Sequence, residues 1–318
     1  MANDGIKNKL FAISPYIEIA FRKIYWNNIN FFYEKVKKKA QVKVKDRKNI
    51  NFDKIIDYLQ NKGIGEGDLM ILHSSYEEIK YSRLKPDQII DKFLQLLGKE
   101  GTLAMNSGRK FKEEKDVTYC LKENYEDLVC EYDVKKTRVW TGVLPMFMLR
   151  RSNAEISEFP INPMVAIGKY AKLMMECNLT GDLKAHGKGS SWEYCWKHNA
   201  VIVGIGIDLT HSLTMVHTAE DTNEKWPILY WYRDRKFLIK NGLTEKIITV
   251  KERRPKWGSL HYAERTLCKD LINSRLLVSN IVEGVKVEYI YAQDLLKFLN
   301  SKNKNGYPYF GINKKNKV

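Results

Sequence analysis

The chain has 318 residues, 44% apolar and 29% charged, which is enough for a large core and too apolar for a disordered chain. Nineteen Gly and eight Pro exclude a collagen-like or proline-rich repeat, and no apolar run nears the ~18–20 residues of a membrane span. The net charge of +16 sits mostly at the ends: residues 1–50 carry +8 and residues 301–318 carry +5, leaving +3 for the body.

These charges divide the chain into a basic amphipathic extension (1–50), an α/β body (51–300) and a basic tail (301–318). In the extension, Leu10, Phe11, Ile17, Phe21, Ile24, Tyr25, Phe32 and Val36 recur at helical spacing among lysines. Such a helix over residues 10–40 suits packing on its own domain, a second copy in a homodimer, or an anionic membrane surface. From Phe52 the elements alternate. Residues 55–59 begin a helix that stops near Gly63, and residues 68–73 form a short apolar strand. Pro86–Leu97 is a helix with Ile89, Ile90, Phe93, Leu96 and Leu97 on one face, closed at Gly98; residues 102–105 are a second buried strand. Residues 106–140 read as polar loop, 142–149 as a helix, and 164–175 as a further helix. Residues 200–207 make the strongest strand, with 214–220 following it directly. This β-α-β-α rhythm with apolar strands predicts a layered α/β fold.

Five cysteines without a CxxC pair read as reduced thiols of a cytoplasmic protein, not a zinc site, and no metal centre is expected. The N-terminus lacks signal-peptide order, which points the same way. No nucleic-acid recognition motif accompanies the basic ends, so nucleic acid is not expected as a partner. Ser74 and Ser75 follow a strand, but no G-x-S-x-G elbow surrounds them. Gly204-Ile-Gly206 lacks the third glycine of a dinucleotide loop, with Leu at 209. His217 and Glu220, three apart just past the best strand, share a face if that turn is helical; a neutral His held by a carboxylate is a common general base.

Three segments carry a resemblance. Leu72-His-Ser-Ser-Tyr-Glu-Glu-Ile79, Gly101-Thr-Leu-Ala-Met105 and Thr214-Met-Val-His-Thr-Ala-Glu220 resemble, in order and spacing, motifs of the aminoglycoside 3-N-acetyltransferase family. Between them, Tyr132-Asp133, Thr137, Gly142 and Leu144, then Ala154-Glu-Ile-Ser-Glu-Phe-Pro-Ile-Asn-Pro163, extend the likeness, which runs over about residues 52–300. The resemblance implies an acetyl-CoA-dependent N-acyltransferase with the family's own α/β fold, distinct from GNAT enzymes. By it, His73, Ser74, Ser75 and Tyr76 would line the CoA site, His217 would be the base and Glu220 would hold its tautomer. Asp208, Asp221 and Thr214 are the expected acceptor contacts, with Asp182 and Glu193 as further acidic candidates. Ile156, Phe159 and Pro163 stand where the family has Arg, His and Ser, so the acceptor pocket is altered. The slightly basic body favours an anionic acceptor, a nucleotide- or glycan-linked amino sugar of surface-polysaccharide assembly, over a polycationic aminoglycoside. A decayed CoA-binding scaffold is the non-enzymatic alternative.

Overall fold

The computed structural model describes residues 6–29, 49–114 and 127–313. Strands β1 (Leu69–Ser74), β2 (Thr102–Asn106), β4 (Glu155–Ile156), β5 (Met164–Gly168), β6 (Val201–Ile205), β9 (Val278–Val282) and β10 (Val285–Tyr291) form a mixed seven-stranded sheet, ordered β4-β5-β2-β1-β6-β10-β9. The centre is parallel, β1 lying between β2 and β6, whereas β5 and β10 close it antiparallel on either side.

Central strands buried on both faces need apolar residues at every position, which is why they read as continuous runs. Leu69 and Ile71 point into one core cluster, Met70 and Leu72 into the other, and β6 divides likewise at Ile202 against Val201 and Val203. The Pro86–Leu97 helix covers the second face with the five residues named above, all buried. Gly98 ends it at φ +64°, a left-handed position that a β-carbon strains.

Two expectations fail here. Residues 164–168 are strand β5, not helix, pairing Val165 with Met105 and Ile167 with Leu103; only Leu173–Glu176 is helical. A short apolar run carries no period to tell strand from helix, and its partner strand decides. The stretch expected as loop contains β3 (Val129–Asp133), which joins β7 (Tyr232–Asn241) and β8 (Thr244–Arg253) in a second, three-stranded sheet. Its alternating buried residues, Cys130, Tyr132, Phe237, Ile239 and Val250, gather Phe111 and Phe159 into a third core.

The basic ends pack on the body as far as they are described. Glu18, in the helix Pro15–Asn27, is buried and accepts the backbone N–H groups of Glu264 (3.1 Å) and Arg265 (2.8 Å) at the start of the helix Glu264–Asn273. Residues 301–313, expected as tail, send Tyr309 and Phe310 into the first core. Leu10, Phe21, Ile24 and Tyr25 are exposed; Phe32 and Val36 fall outside the described residues. No described helix is long and apolar enough to cross a membrane.

Candidate active site

The helix Val216–Asp221 follows β6 and the short helix Leu209–Ser212. Its one and a half turns put His217 and Glu220 on one face, so Glu220 Oε2 lies 3.0 Å from His217 Nδ1. On the other side of the ring, Arg253 Nη2 lies 3.0 Å from Nε2. A guanidinium can only donate, so Nε2 is the bare nitrogen and Nδ1 carries the hydrogen that Glu220 accepts. Burial pushes the imidazole well below its ordinary range, with Arg253 and His186 adding to the effect. Burial also pushes the Glu220 carboxyl up, and the nearby Arg253 guanidinium pulls it back toward the ionised form. His217 is therefore neutral at physiological pH, the form a base needs.

Two clefts meet at this ring. The larger, about 630 Å3, is lined by His73, Ser74, Ser75 and Tyr76 at the end of β1, by Thr141–Gly142–Val143 and by Thr214. Gly142, at φ +129°, lets the backbone turn close to the Ser74 carbonyl. The smaller, about 210 Å3, is lined by Arg109, Glu114, His186, Asp221, Glu252 and Arg253 among others. His217, Trp140, Asn162 and Arg253 border both, so the base stands where the two openings join.

The larger cleft fits a CoA thioester. His73 Nε2 is buried without a hydrogen-bond partner among the described residues, and burial holds its imidazole down at about 4, hence neutral. An opening of this size at strand ends, bordered by hydroxyls and by a ring nitrogen without a partner among the described residues, suits a pantetheine arm with its amides.

The remaining expected contacts divide. Thr214 borders the larger cleft, its Oγ1 3.4 Å from Asn106 Nδ2. Asp221 reaches the smaller one but is already held: it accepts from Tyr232 Oη (2.7 Å) and from the His186 backbone N–H (3.1 Å). Against burial, which would raise it, the His186 ring beside it (3.4 Å) and these bonds hold its carboxyl below the ordinary value. Asp208 borders neither cleft. It caps the Leu209–Ser212 helix and pairs with Arg265 Nη1 at 2.6 Å, so its expected acceptor role gives way to a structural one. Asp182 pairs with Lys184, and Glu193 with Lys197. Phe159 and Ile156 pack in the third core and open no catalytic gap. Sequence reasoning missed His186 and Arg253, which belong to no motif; they come from a loop and from the last residue of β8. Among the described residues, no three His, Cys, Asp or Glu side chains gather as a metal would require.

A sequence model of the aminoglycoside 3-N-acetyltransferase family matches residues 71–302, most of the chain. The chain belongs to that family. This acetyltransferase also superposes on solved structures of aminoglycoside acetyltransferases. One is AAC(3)-Xa, with a TM-score of 0.64, 19% identity, and 77% of this chain and 90% of that one covered. A second is AAC-IIIb in a binary complex with CoASH, at 0.58 and 16%, with 77% and 92% covered. A third is sisomicin-bound AAC-VIa, at 0.62 and 16%, covering 77% and 94%. Among curated proteins, none matches it by sequence. The fold is thus the layered α/β fold of this family and not a GNAT fold.

Proposed function

We propose that this N-acetyltransferase moves the acetyl group of acetyl-CoA onto a primary amine of an amino sugar, with His217 as general base. The observation that carries the reading is a neutral His217, backed by Glu220, at the junction of two clefts. Acetyl-CoA, when bound, supplies the thioester and a sulfur leaving group. His73, Ser74, Ser75 and Tyr76 hold that co-substrate in the larger cleft, and the acceptor enters by the smaller one.

His217 Nε2 takes the proton of the amine as its nitrogen forms the bond to the thioester carbonyl carbon, and passes it to the sulfur as the C–S bond breaks. A protonated amine has no lone pair, so a positioned base is worth ~10²–10⁴ in rate. Glu220 keeps the ring in one tautomer and stabilises the transient imidazolium.

The family and the sisomicin-bound relative support an aminoglycoside acceptor, and with it a resistance function. A second reading, an anionic amino sugar of surface-polysaccharide assembly, is favoured by one observation. The carboxylates of the smaller cleft are engaged: Glu252 pairs with Arg233 and Arg235, Glu114 with Arg235, and Asp221 as above. A polycation would find few of them available. CoA thiol release from acetyl-CoA, offered aminoglycosides and nucleotide-linked amino sugars in parallel, separates the two. Turnover with one panel alone selects that acceptor; silence with every amine would refute the transferase reading.

A further inference from the structure

The lone pair that the reaction uses is covered. Arg253 Nη2 occupies the hydrogen-bonding position on His217 Nε2, where an acceptor amine has to stand. The guanidinium is placed there by β8, whose last residue it is, and lies over the Trp231 ring at 5.9 Å. Its hold is incomplete: Nη1 is buried without a hydrogen-bond partner among the described residues, and its ion pair with Glu220 Oε2, at 3.7 Å, is too long to be a hydrogen bond. Gly258 approaches so closely that a β-carbon there would sit 3.2 Å from Nη2.

A second guanidinium borders the same cleft. Arg109 is buried, donates to the carbonyls of Thr137 (2.7 Å) and Val134 (2.9 Å), and has no carboxylate within ion-pair distance among the described residues. Its Nε also lacks a partner there. Two guanidiniums whose donors are not all used among the described residues, in a cleft whose carboxylates are engaged, make a place for an anion.

We propose that Arg253 is an anion-released cap on the base: a carboxylate or phosphate carried by the acceptor amino sugar draws the guanidinium off His217 Nε2 and leaves that nitrogen facing the acceptor's amine. The inference rests on the transferase reading and narrows its acceptor to amino sugars bearing a negative group close to the amine. An acceptor without one leaves the cap in place and is a poor substrate. Arg253 is a positioning and specificity residue that acts through His217; it does not touch the transferred group.

The groups facing His217 are Glu220 on its own helix, Arg253 from β8, His186 and Asp221 along the smaller cleft, Tyr262 with its ring 6.4 Å away, and Glu264. Of these, Arg253 is the cation held directly on the ring, so its departure makes the imidazole easier to protonate.

The test follows the His217 ring by 15N NMR in the full chain, with its resonance assigned by loss in His217→Gln. Wild type and Arg253→Gln are titrated with inorganic phosphate and, at equal ionic strength, with chloride. The expected result is a wild-type His217 pKa that rises by about one unit or more in phosphate alone. In Arg253→Gln it is already raised and does not respond. A wild-type ring unmoved by phosphate, or a variant that titrates like wild type, overturns the cap. In steady-state assays, kcat/KM for a phosphorylated amino sugar over its uncharged parent should fall at least about tenfold in Arg253→Gln, with Arg253→Lys intermediate. An unchanged ratio would also overturn it. An enzyme that acetylates no amine sinks the transferase reading, and the histidine titration then still decides whether Arg253 is a cap.

Discussion

Glu220 Oε2 lies 3.0 Å from His217 Nδ1 and accepts the hydrogen that the Arg253 contact on Nε2 assigns to that nitrogen. Replacing Glu220 by Gln removes the acidic acceptor of the Nδ1 hydrogen and with it the support for the transient imidazolium. The Glu220→Gln variant should lose kcat by roughly ten- to hundredfold with KM for acetyl-CoA little changed. Stopped-flow thiol detection with a saturating acceptor checks this; a KM effect alone would place Glu220 in binding.

The pH dependence follows from burial. His217 is held well below the ordinary imidazole range, so the base stays neutral as pH falls through 6.5 and kcat loses activity only below that. His73, depressed to about 4, gives a related stability effect. Between about 6.5 and 4 the unfolded chain binds a proton that the folded one refuses. Stability is therefore fully present above pH 6.5 and is lost as pH falls to about 4, by ~3 kcal/mol from this group. Urea melts across that range should show the decline, and His73→Leu should make it shallower, leaving the share of the other depressed histidines, His217 and His261.

The sequence makes a residue's role legible where its partners are local. Strands β1 and β6 and the Pro86–Leu97 helix declare themselves because apolar runs and a 3.6-residue period are properties of the chain itself. The His217–Glu220 pair is legible for the same reason, being one helical turn. Strand β5 is not legible, because four apolar residues and a glycine fit either element until β2 pairs with them. Arg253 reaches the base because β8 ends beside His217, a contact between residues 36 apart that no spacing records. Asp208 differs for the converse reason: an acidic residue near a motif reads as an acceptor contact, but its partner is Arg265, 57 residues on.

That correction is testable. Asp208→Asn should leave KM for the acceptor unchanged and lower stability by about 1–3 kcal/mol, since Arg265 keeps its charge with its nearest carboxylate gone. A raised acceptor KM at unchanged stability would restore Asp208 to the site.

The N-terminal helix is predicted to stabilise the body. Glu18→Ala removes the acceptor of two backbone N–H groups at the start of the Glu264–Asn273 helix and the partner of Arg22, at a cost of about 1–3 kcal/mol. Glu264 in turn holds His211, which borders the larger cleft, so KM for acetyl-CoA should rise as well. Thermal melts together with acetyl-CoA titrations check both.

Ser74 and Ser75 are expected to act on binding. Alanine at both should raise KM for acetyl-CoA by about tenfold while kcat changes less, as loss of uniform binding requires. A kcat collapse with unchanged KM would mean that one of these hydroxyls acts in the chemical step.

The most direct test is thiol release from acetyl-CoA by wild type and His217→Ala, each confirmed folded by circular dichroism, with an amino-sugar acceptor that wild type uses. With His217 as the base, the variant should bind acetyl-CoA normally and lose ~10²–10⁴ in kcat. Undiminished turnover by a folded His217→Ala would contradict it and send the search for the base elsewhere in the cleft, first to His186.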